Sequence, residues 1–308
     1  MAQPSAGPYP NRPLRLLVPF PPGGSADLIG RMISPLMSER LGRPVIVENR
    51  PGASGAIAAE IVTKAQPDGH TMMIAGTSTV MGLNAILIPN LPYDPKDLAP
   101  ITLLVASPFI LAVNTTMLPV GSIKELIALL KSKPQPTPFA SGPNLSGMHL
   151  SGEYFKSLSG LPMLYVPYKG NGPAMADVSG GQVPMAFVDL GSTGPYRKSE
   201  RVKILAIADK KRTAMAPDIP TGAEGGLPGW EAIGSFGLVT TIGTHQEIIQ
   251  RLHAETTRIL RLPDIRERIL ATGNEPSPMT PDEFGAFAKS EVAKWTRVIK
   301  EAGIKIEQ

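Results

Sequence analysis

The sequence predicts an α/β protein in which short buried strands alternate with helices, and three observations support this fold class. Apolar runs bounded by turn residues, which are typical of buried strands, occur at 14–18, 45–48, 71–75, 101–105, 109–113, 163–166, 185–188 and 204–208. Helical spacing of apolar residues lies between many of these runs, for example at 26–41, 122–131, 148–158 and 173–179. The chain then ends in three helical stretches at 245–262, 264–271 and 281–302. This order favours parallel-rich sheets with helices on both faces.

Two extended apolar segments, ASPFILAVNTT and AIGSFGLVTT, lie on either side of a self-contained middle block. We therefore expect two lobes, of which residues 1–113 with 237–308 form the first and the inserted residues 114–236 form the second. A domain inserted in this way is joined by two adjacent strands that cross between the lobes, which makes a natural hinge. At 308 residues the chain is long enough for each lobe to have its own core.

Composition excludes several classes of function. Apolar residues make up 42% and charged residues 18%, which is ordinary for a globular protein, and the net charge is +4. No cluster of Lys and Arg exceeds DKKR at 209–212, so no nucleic-acid partner is expected, and the modest positive charge favours small anions. The absence of cysteine excludes thiolate catalysis, iron–sulfur clusters and disulfides. The longest apolar run, ITLLVASPFILAV, is too short and too interrupted to span a bilayer.

The N-terminal segment MAQPSAGPYP has no apolar signal core. Its Ala-Gln pair is what cleavage after a small-residue site often leaves, which favours an exported protein whose signal has been removed and replaced by Met. A cytoplasmic protein is the alternative.

The stretch RLLVPFPPGGSADLIGRMIS runs a buried strand into Pro-Pro-Gly-Gly and then straight into a helix. Ser25 is expected to cap that helix, and Asp27 to lie in its first turn. Because two glycines leave the backbone uncovered, this loop predicts bare amide groups at a helix N-terminus, where anions bind. It has neither the lysine of a nucleotide-binding loop nor the three-glycine spacing of a dinucleotide fingerprint. A small anion such as a carboxylate suits it, and a tight turn without a ligand is the alternative.

A second glycine-rich turn between strand and helix lies in FASGPNLSGMHLSGEYF, at 139–155. Ser146 is predicted to cap the helix, while Ser141 and Asn144 add hydrogen-bond donors. Two such loops, one in each lobe, are expected to close on the two ends of one anion.

Two further loops at strand ends lie in VENRPGASGAIAAE and YVPYKGNGPAMADVSGGQVPMAF. Ligands of open parallel sheets bind outside the carboxyl ends of the strands. The rim candidates, which are otherwise ordinary turn residues, are Asn49, Ser54, Tyr168, Gly170 and Asp189.

Catalytic signatures are missing from the sequence. There is no Gly-x-Ser-x-Gly elbow, no His-Glu-x-x-His and no acidic cluster at metal spacing, so neither a metal nor a cofactor is expected. His149 is the one histidine beside a candidate loop. A hydrolase built on Ser146 and His149 would lack an orienting acid within sequence reach. A capping or hydrogen-bonding role is therefore favoured for His149.

Four segments together resemble the tripartite tricarboxylate transporter receptor family, the periplasmic solute-binding proteins also called Bug proteins. They are LRLLVPFPPGGSADLIGRMIS, GRPVIVENRPGASGAIAAE, YVPYKGNGPAMADVSGGQV and GTHQEIIQRLHAE, and they span nearly the whole chain in order. The resemblance implies a two-lobed, type II periplasmic-binding-protein fold. It also implies a non-enzymatic receptor that binds a small carboxylate between the lobes and delivers it to a membrane permease.

The resemblance and the rim positions together define the candidate ligand-binding residues. In lobe one these are Phe20, Pro22, Gly23, Gly24, Ser25, Ala26, Asp27 and Ser78; in lobe two they are Ser141, Asn144, Ser146, His149, Tyr168, Gly170 and Asp189.

Two departures from the family pattern leave the ligand open. The family usually has glycines where this chain has Pro143 and Leu145, and proline has no amide hydrogen to donate. Where the family commonly reads Phe-Asp-Asn, this chain reads Phe187-Val188-Asp189. A carboxylate there would repel a carboxylate ligand unless it met an amine, a hydroxyl or an ordered water. A dicarboxylate, an aromatic carboxylate and an amino acid therefore all fit, and an enzyme that uses His149 or Asp189 as acid or base is the alternative function.

Overall fold

The computed structural model describes residues 9–301 and 303. Ten strands are found in the described residues: β1 (Leu14–Val18), β2 (Val45–Asn49), β3 (Thr71–Gly76), β4 (Leu98–Asn114), β5 (Thr137–Ser141), β6 (Met163–Pro167), β7 (Met185–Asp189), β8 (Val202–Ile207), β9 (Ile233–Thr241) and β10 (Glu275–Pro276). The α-helices there are α1 (Ser25–Leu41), α2 (Ala56–Thr63), α3 (Asn84–Leu87), α4 (Ile123–Lys131), α5 (Gly147–Ser159), α6 (Asn171–Gly180), α7 (Gln246–Leu260), α8 (Pro263–Ala271) and α9 (Pro281–Glu301). Residues 1–8, on which the export interpretation rests, and 302 and 304–308, at the end of predicted lobe one, lie outside the described residues.

The chain divides into two compact units. Of the described residues, the first unit contains 9–106 and Ser235–Thr296, and the second contains Ser107–Gly234, 297–301 and 303. Among the described residues the chain passes between the units three times. Two of these boundaries fall inside strands, since β4 and β9 each contribute residues to both units, and the third falls inside α9, after Thr296.

The sheet of the first unit is built on three parallel strands in the order β2-β1-β3, with β9 antiparallel to β3. Successive side chains of a strand point to opposite faces, and β1 shows this directly. Leu16 packs with residues of α1, α7 and α8, such as Ile33 and Leu252. Leu17 packs on the other face with α2 and α9 residues, such as Phe284. Both faces of the sheet are therefore covered.

The sheet of the second unit has the order β6-β5-β7, again parallel, followed by the second half of β4 antiparallel to β7. Val188 packs on one face with α6 residues such as Met175. Phe187 lies in an aromatic cluster, with ring centroids 5.3 Å from Phe139 and 5.8 Å from Trp230. In each unit, three parallel strands thus end at one edge, and the loops that follow them share that edge.

The two strands predicted at 101–105 and 109–113 are one strand of 17 residues, β4. Val105 pairs with β10, whereas Phe109 pairs with Asp189 of β7. Pro108 lies between these two ladders, outside the residues that either one pairs, so its missing amide hydrogen removes a bond from neither. Among the described helices, none has the length and apolarity that a membrane span needs.

Candidate functional site

The first glycine loop (residues 19–24) follows β1 and leads into α1. Gly23 has a left-handed backbone with φ of +89°, and Gly24 is the N-cap with φ of −78°. The prediction that Ser25 caps the helix is wrong, because α1 already begins at Ser25 and no side chain caps it at Gly24. The carboxylate of Asp27 instead reaches back and accepts the Gly23 amide hydrogen at 2.9 Å. One of the amides expected to be bare is therefore occupied.

Asp27 is buried and held by two more side chains. Arg31 Nε donates to both carboxylate oxygens at 3.0 Å, and Asn49 Nδ2 donates to Oδ1 at 2.9 Å. Burial alone would raise the pKa of Asp27, but the hydrogen bonds from Arg31, Gly23 and Asn49 outweigh it and hold the pKa at about 2. The charge of this acid is thus compensated within the loop itself.

The end of β2 fixes the first glycine loop in place. Asn49 Nδ2 also donates to the Phe20 carbonyl at 3.0 Å, and Asn49 Oδ1 accepts from Arg31 Nη2 at 2.9 Å. The Phe20 ring meets Phe236 edge to face, with centroids 5.7 Å apart. The position of Asn49 at a strand end predicts a place at the site, whereas no such signal in the sequence indicates Arg31.

The amides at the start of α1 still lack partners within the helix. The first helical bond runs from the Leu28 amide to the Gly24 carbonyl at 2.9 Å. The amides of Ser25, Ala26 and Asp27 precede it and have no intrahelical acceptor. Pro22, Gly23 and Gly24 are exposed, and Ser25 is partly exposed. This edge of the first unit therefore offers oriented donors at the positive end of a 17-residue helix.

Ser78 lies at the same edge, after β3. It is partly buried and begins the irregular turn that continues through Thr79–Leu83. Its neighbour Thr77 is completely buried, and the Thr77 hydroxyl has no hydrogen-bond partner among the described residues. Thr77 was not among the predicted site residues; like Ser78, it follows the carboxyl end of the parallel strand β3, and this position is the signal that could have indicated it.

The second glycine loop (residues 141–147) follows β5 in the second unit. Ser146 is the N-cap of α5 and accepts the His149 amide hydrogen at 3.3 Å, which confirms the predicted cap. Ser141 is buried, and its hydroxyl donates to the Phe187 carbonyl at 3.0 Å, so it has no hydrogen left for a ligand. Leu145, where the family usually has glycine, adopts a left-handed backbone with φ of +59°. Asn144 is exposed.

His149, in the first turn of α5, stabilises the second glycine loop. Its Nδ1 accepts the Leu145 amide hydrogen at 3.0 Å, and its ring stacks on Tyr165 with centroids 3.8 Å apart. Burial, with the nearby charge of Lys156, lowers the pKa of His149 to about 4. The ring is therefore neutral at physiological pH, with its proton on Nε2, 3.9 Å from a Glu153 oxygen.

The remaining candidates share the same edge of the second unit. The Tyr168 amide donates to the Ser141 carbonyl at 2.9 Å, and its hydroxyl donates to Asp177 at 2.7 Å. Burial and the Asp177 hydrogen bond raise the pKa of Tyr168 to about 12. Gly170 is the N-cap of α6 in an extended conformation. Tyr168 is thus already engaged, and its hydroxyl has no proton left to donate.

Asp189 ends β7 and caps the helical turn Leu190–Tyr196. It accepts the Ser192 amide hydrogen at 2.9 Å and a hydrogen from Asn171 Nδ2. Burial raises the pKa of Asp189, although these hydrogen bonds oppose the rise. Asn171 was not among the predicted site residues.

Each unit therefore assembles its own set of candidates. Phe20 to Asp27, Asn49 and Ser78 lie at one edge of the first unit, and Ser141 to His149, Tyr168, Gly170 and Asp189 lie at one edge of the second. No group of three metal-ligating His, Asp or Glu side chains occurs among residues 9–301 and 303.

Comparison with known proteins identifies the family. A model of the tripartite tricarboxylate transporter family receptor matches residues 29–304. Protein BugT of Bordetella pertussis is 34% identical over 304 residues, which cover 98% of this chain and 93% of that protein.

Solved structures agree in fold and sequence. One described as a periplasmic transporter superposes with a TM-score of 0.82 at 36% identity, over 97% of this chain and all of that one. R. palustris Rpa4515 with adipate gives a TM-score of 0.83 at 31% identity, over 96% and 98% of the two chains. MatC from Rhodopseudomonas palustris with bound malate gives 0.78 at 30% identity, over 94% and 100%. The predicted α/β binding-protein fold is confirmed, and the chain belongs to the tripartite tricarboxylate transporter receptor family.

Proposed function

We propose that this chain is a periplasmic receptor that captures a small organic carboxylate and hands it unchanged to the membrane permease of its transporter. Family membership supports the receptor role, and relatives with bound adipate and malate support the ligand class. Relatives described as periplasmic support the location. The observation that carries the proposal is the first glycine loop, whose own acid, Asp27, is neutralised while the amides of α1 have no partner in the helix.

The electrostatics of that loop suit a ligand carboxylate. A free acid beside the α1 amides would repel an anionic ligand, but Asp27 is paired with Arg31 and hydrogen-bonded by Asn49. Hydrogen bonds from backbone amides to a carboxylate are short and roughly twice as strong as neutral ones. The amides of Ser25 and Ala26 are the donors that we assign to the ligand in this unit.

The edge of the second unit also has hydrogen-bond donors. Ser146 accepts the His149 amide hydrogen, so its own hydroxyl hydrogen is available to a ligand. Ser141 differs, because its hydrogen goes to Phe187. Ser146 and the exposed Asn144 are therefore the donors that we assign to the ligand here.

A binding role explains His149 better than acid–base catalysis does. Its Nδ1 takes the Leu145 amide hydrogen, and its ring is buried against Tyr165. A general base needs an acceptor atom within reach of the substrate proton, and the acceptor atom of His149 is already used to shape the loop.

A thermal-shift screen tests the proposed function. The panel contains dicarboxylates, aromatic carboxylates and amino acids, with ATP and NAD as controls. A ligand that binds only the folded state stabilises it by about 2.7 kcal/mol at a hundredfold excess over Kd. For a chain of this size we expect a rise in Tm of a few degrees. NMR of the recovered ligand should show it unchanged; a response to nucleotides alone, or turnover of the acid, would contradict the proposal.

A further inference from the structure

Asp189 is an acid without a cationic partner. It pairs with no Lys, Arg or His among the residues that the structure describes, and it is partly buried. Asp27, the corresponding acid at the edge of the first unit, has the guanidinium of Arg31 at 3.0 Å. The two acids therefore differ in the one respect that matters for an anionic ligand: only Asp27 is neutralised by its own chain.

Asp189 and its partner Asn171 have hydrogen-bond acceptor positions that no described donor fills. An ionised carboxylate has about four acceptor positions, and the Ser192 amide and Asn171 Nδ2 fill two of them, one on each oxygen. The nearby Ser192 hydroxyl also opposes the rise in the pKa of Asp189, but it donates its hydrogen to the Asp189 carbonyl at 2.7 Å. The other amide atom of that partner, Asn171 Oδ1, is buried and has no hydrogen-bond partner in the described part of the chain. Unmet acceptors in a buried setting are unfavourable unless a donor reaches them.

This acceptor pair lies next to the second glycine loop. Asp189 follows Phe187 by two residues, and the Phe187 carbonyl accepts the Ser141 hydroxyl at 3.0 Å. Asn171 begins α6, three residues after Tyr168, whose amide donates to the Ser141 carbonyl. The unmet acceptors and the donors Ser146 and Asn144 thus belong to one edge of the same unit.

We propose that Asp189 and Asn171 form a subsite for a hydrogen-bond-donating group of the ligand, so that this receptor prefers an amino or hydroxy carboxylate to an unsubstituted one. The inference rests on the proposed function and adds the ligand's second functional group to it. An ammonium suits the pair best, since it supplies both hydrogen and compensating charge. A hydroxyl supplies the hydrogen alone. A plain methylene would leave both acceptors unmet, which is the situation that lets a polar site reject an analogue.

A merely structural role for Asp189 is the competing explanation, because it caps a helical turn. Ser122 offers a matched comparison. It caps α4 of the same unit by accepting the Glu125 amide hydrogen at 3.2 Å and lies outside the candidate site. Replacing Ser122 by alanine removes this cap and should lower the free energy of unfolding, but it should not change which ligand binds more tightly.

The test is calorimetric binding of three matched series to the parent protein, Asp189→Asn, Asp189→Ala and Ser122→Ala. The series are succinate, malate and aspartate; glutarate, 2-hydroxyglutarate and glutamate; and benzoate with its hydroxy and amino derivatives. In the series that binds, we expect the parent to favour a substituted acid at least tenfold over the unsubstituted one. Asp189→Asn should remove most of an ammonium preference but less of a hydroxyl preference, because its amide oxygen still accepts. Asp189→Ala should reduce either preference to within about threefold, and Ser122→Ala should leave it unchanged.

The outcomes separate the two proposals. If the unsubstituted acid binds the parent as tightly as its substituted partners, or if Asp189→Ala keeps the preference, the subsite is wrong and the receptor function stands. If no member of any series binds, the carboxylate-receptor function itself is contradicted.

Discussion

The carboxylate of Asp27 accepts the amide hydrogen of Gly23, four residues earlier in the chain, at 2.9 Å. The first glycine loop is therefore closed by Asp27, an acid within the first turn of α1, and not by a serine that caps the helix. Because Arg31 and Asn49 hold the same carboxylate, the loop has a fixed shape that needs no ligand contact to maintain it.

We expect Asp27→Asn to lower the free energy of unfolding by about 2 kcal/mol, the range for hydrogen bonds to a charged group. The new amide nitrogen would face donors from Gly23, Arg31 and Asn49. Urea unfolding at pH 7 measures the loss. Asp218→Asn is the control, since Asp218 forms an exposed ion pair with Arg197 and such pairs contribute little. An equal loss in both variants would contradict the special role of Asp27.

Gly24→Glu should abolish ligand binding and leave the fold intact. A Cβ at Gly24 would meet only the Pro21 carbonyl oxygen at 3.8 Å, and the backbone there suits any residue. The added carboxylate would occupy the α1 amides and repel an anionic ligand. Calorimetry measures binding, circular dichroism checks the fold, and Gly24→Gln gives the same bulk without charge. Parent-like affinity in Gly24→Glu would show that the loop is only a turn.

Ser146→Ala should weaken binding by roughly 1 kcal/mol or somewhat more, the loss expected for one hydrogen bond to a charged ligand group. It should also reduce stability by about 1 kcal/mol, because Ser146 caps α5. Ser122→Ala removes a comparable cap and should leave affinity unchanged. If both variants bind like the parent, Ser146 is a cap and nothing more.

His149 should make stability depend on pH below neutrality. Its pKa in the folded chain, about 4, lies below the ordinary value of 6.5. Between these two pH values, the unfolded chain therefore binds a proton at His149 that the folded chain does not bind. The contribution of neutral His149 to the free energy of unfolding is therefore fully present above pH 6.5, and it decreases as the pH drops from 6.5 towards 4. Urea unfolding across this window should show a shallower fall in His149→Gln. The same slope in both proteins would assign the pH dependence to other groups.

Local sequence patterns were sufficient to place both glycine loops. Each loop follows an apolar strand and precedes a helix with clear 3.6-residue spacing, and Ser146 shows the usual residue type of a cap. The partners of Asp27 were not predictable in this way. Asn49 comes from a different strand, 22 positions away, and reaches Asp27 only because β1 and β2 pair in register. The left-handed backbone of Leu145 was also not predictable, because leucine, unlike glycine, does not favour this conformation.

The division of the first unit by an inserted segment has a consequence for the order in which its strands pair during folding. The paired residues Ser141 of β5 and Phe187 of β7 are 46 positions apart in the sequence. The paired residues Ile74 of β3 and Leu238 of β9 are 164 positions apart. Pairings that are distant in sequence form slowly, because chain closure must come first. During folding, the β3 edge therefore stays open, and able to pair with other chains, for longer than the edges that β5 and β7 present to each other.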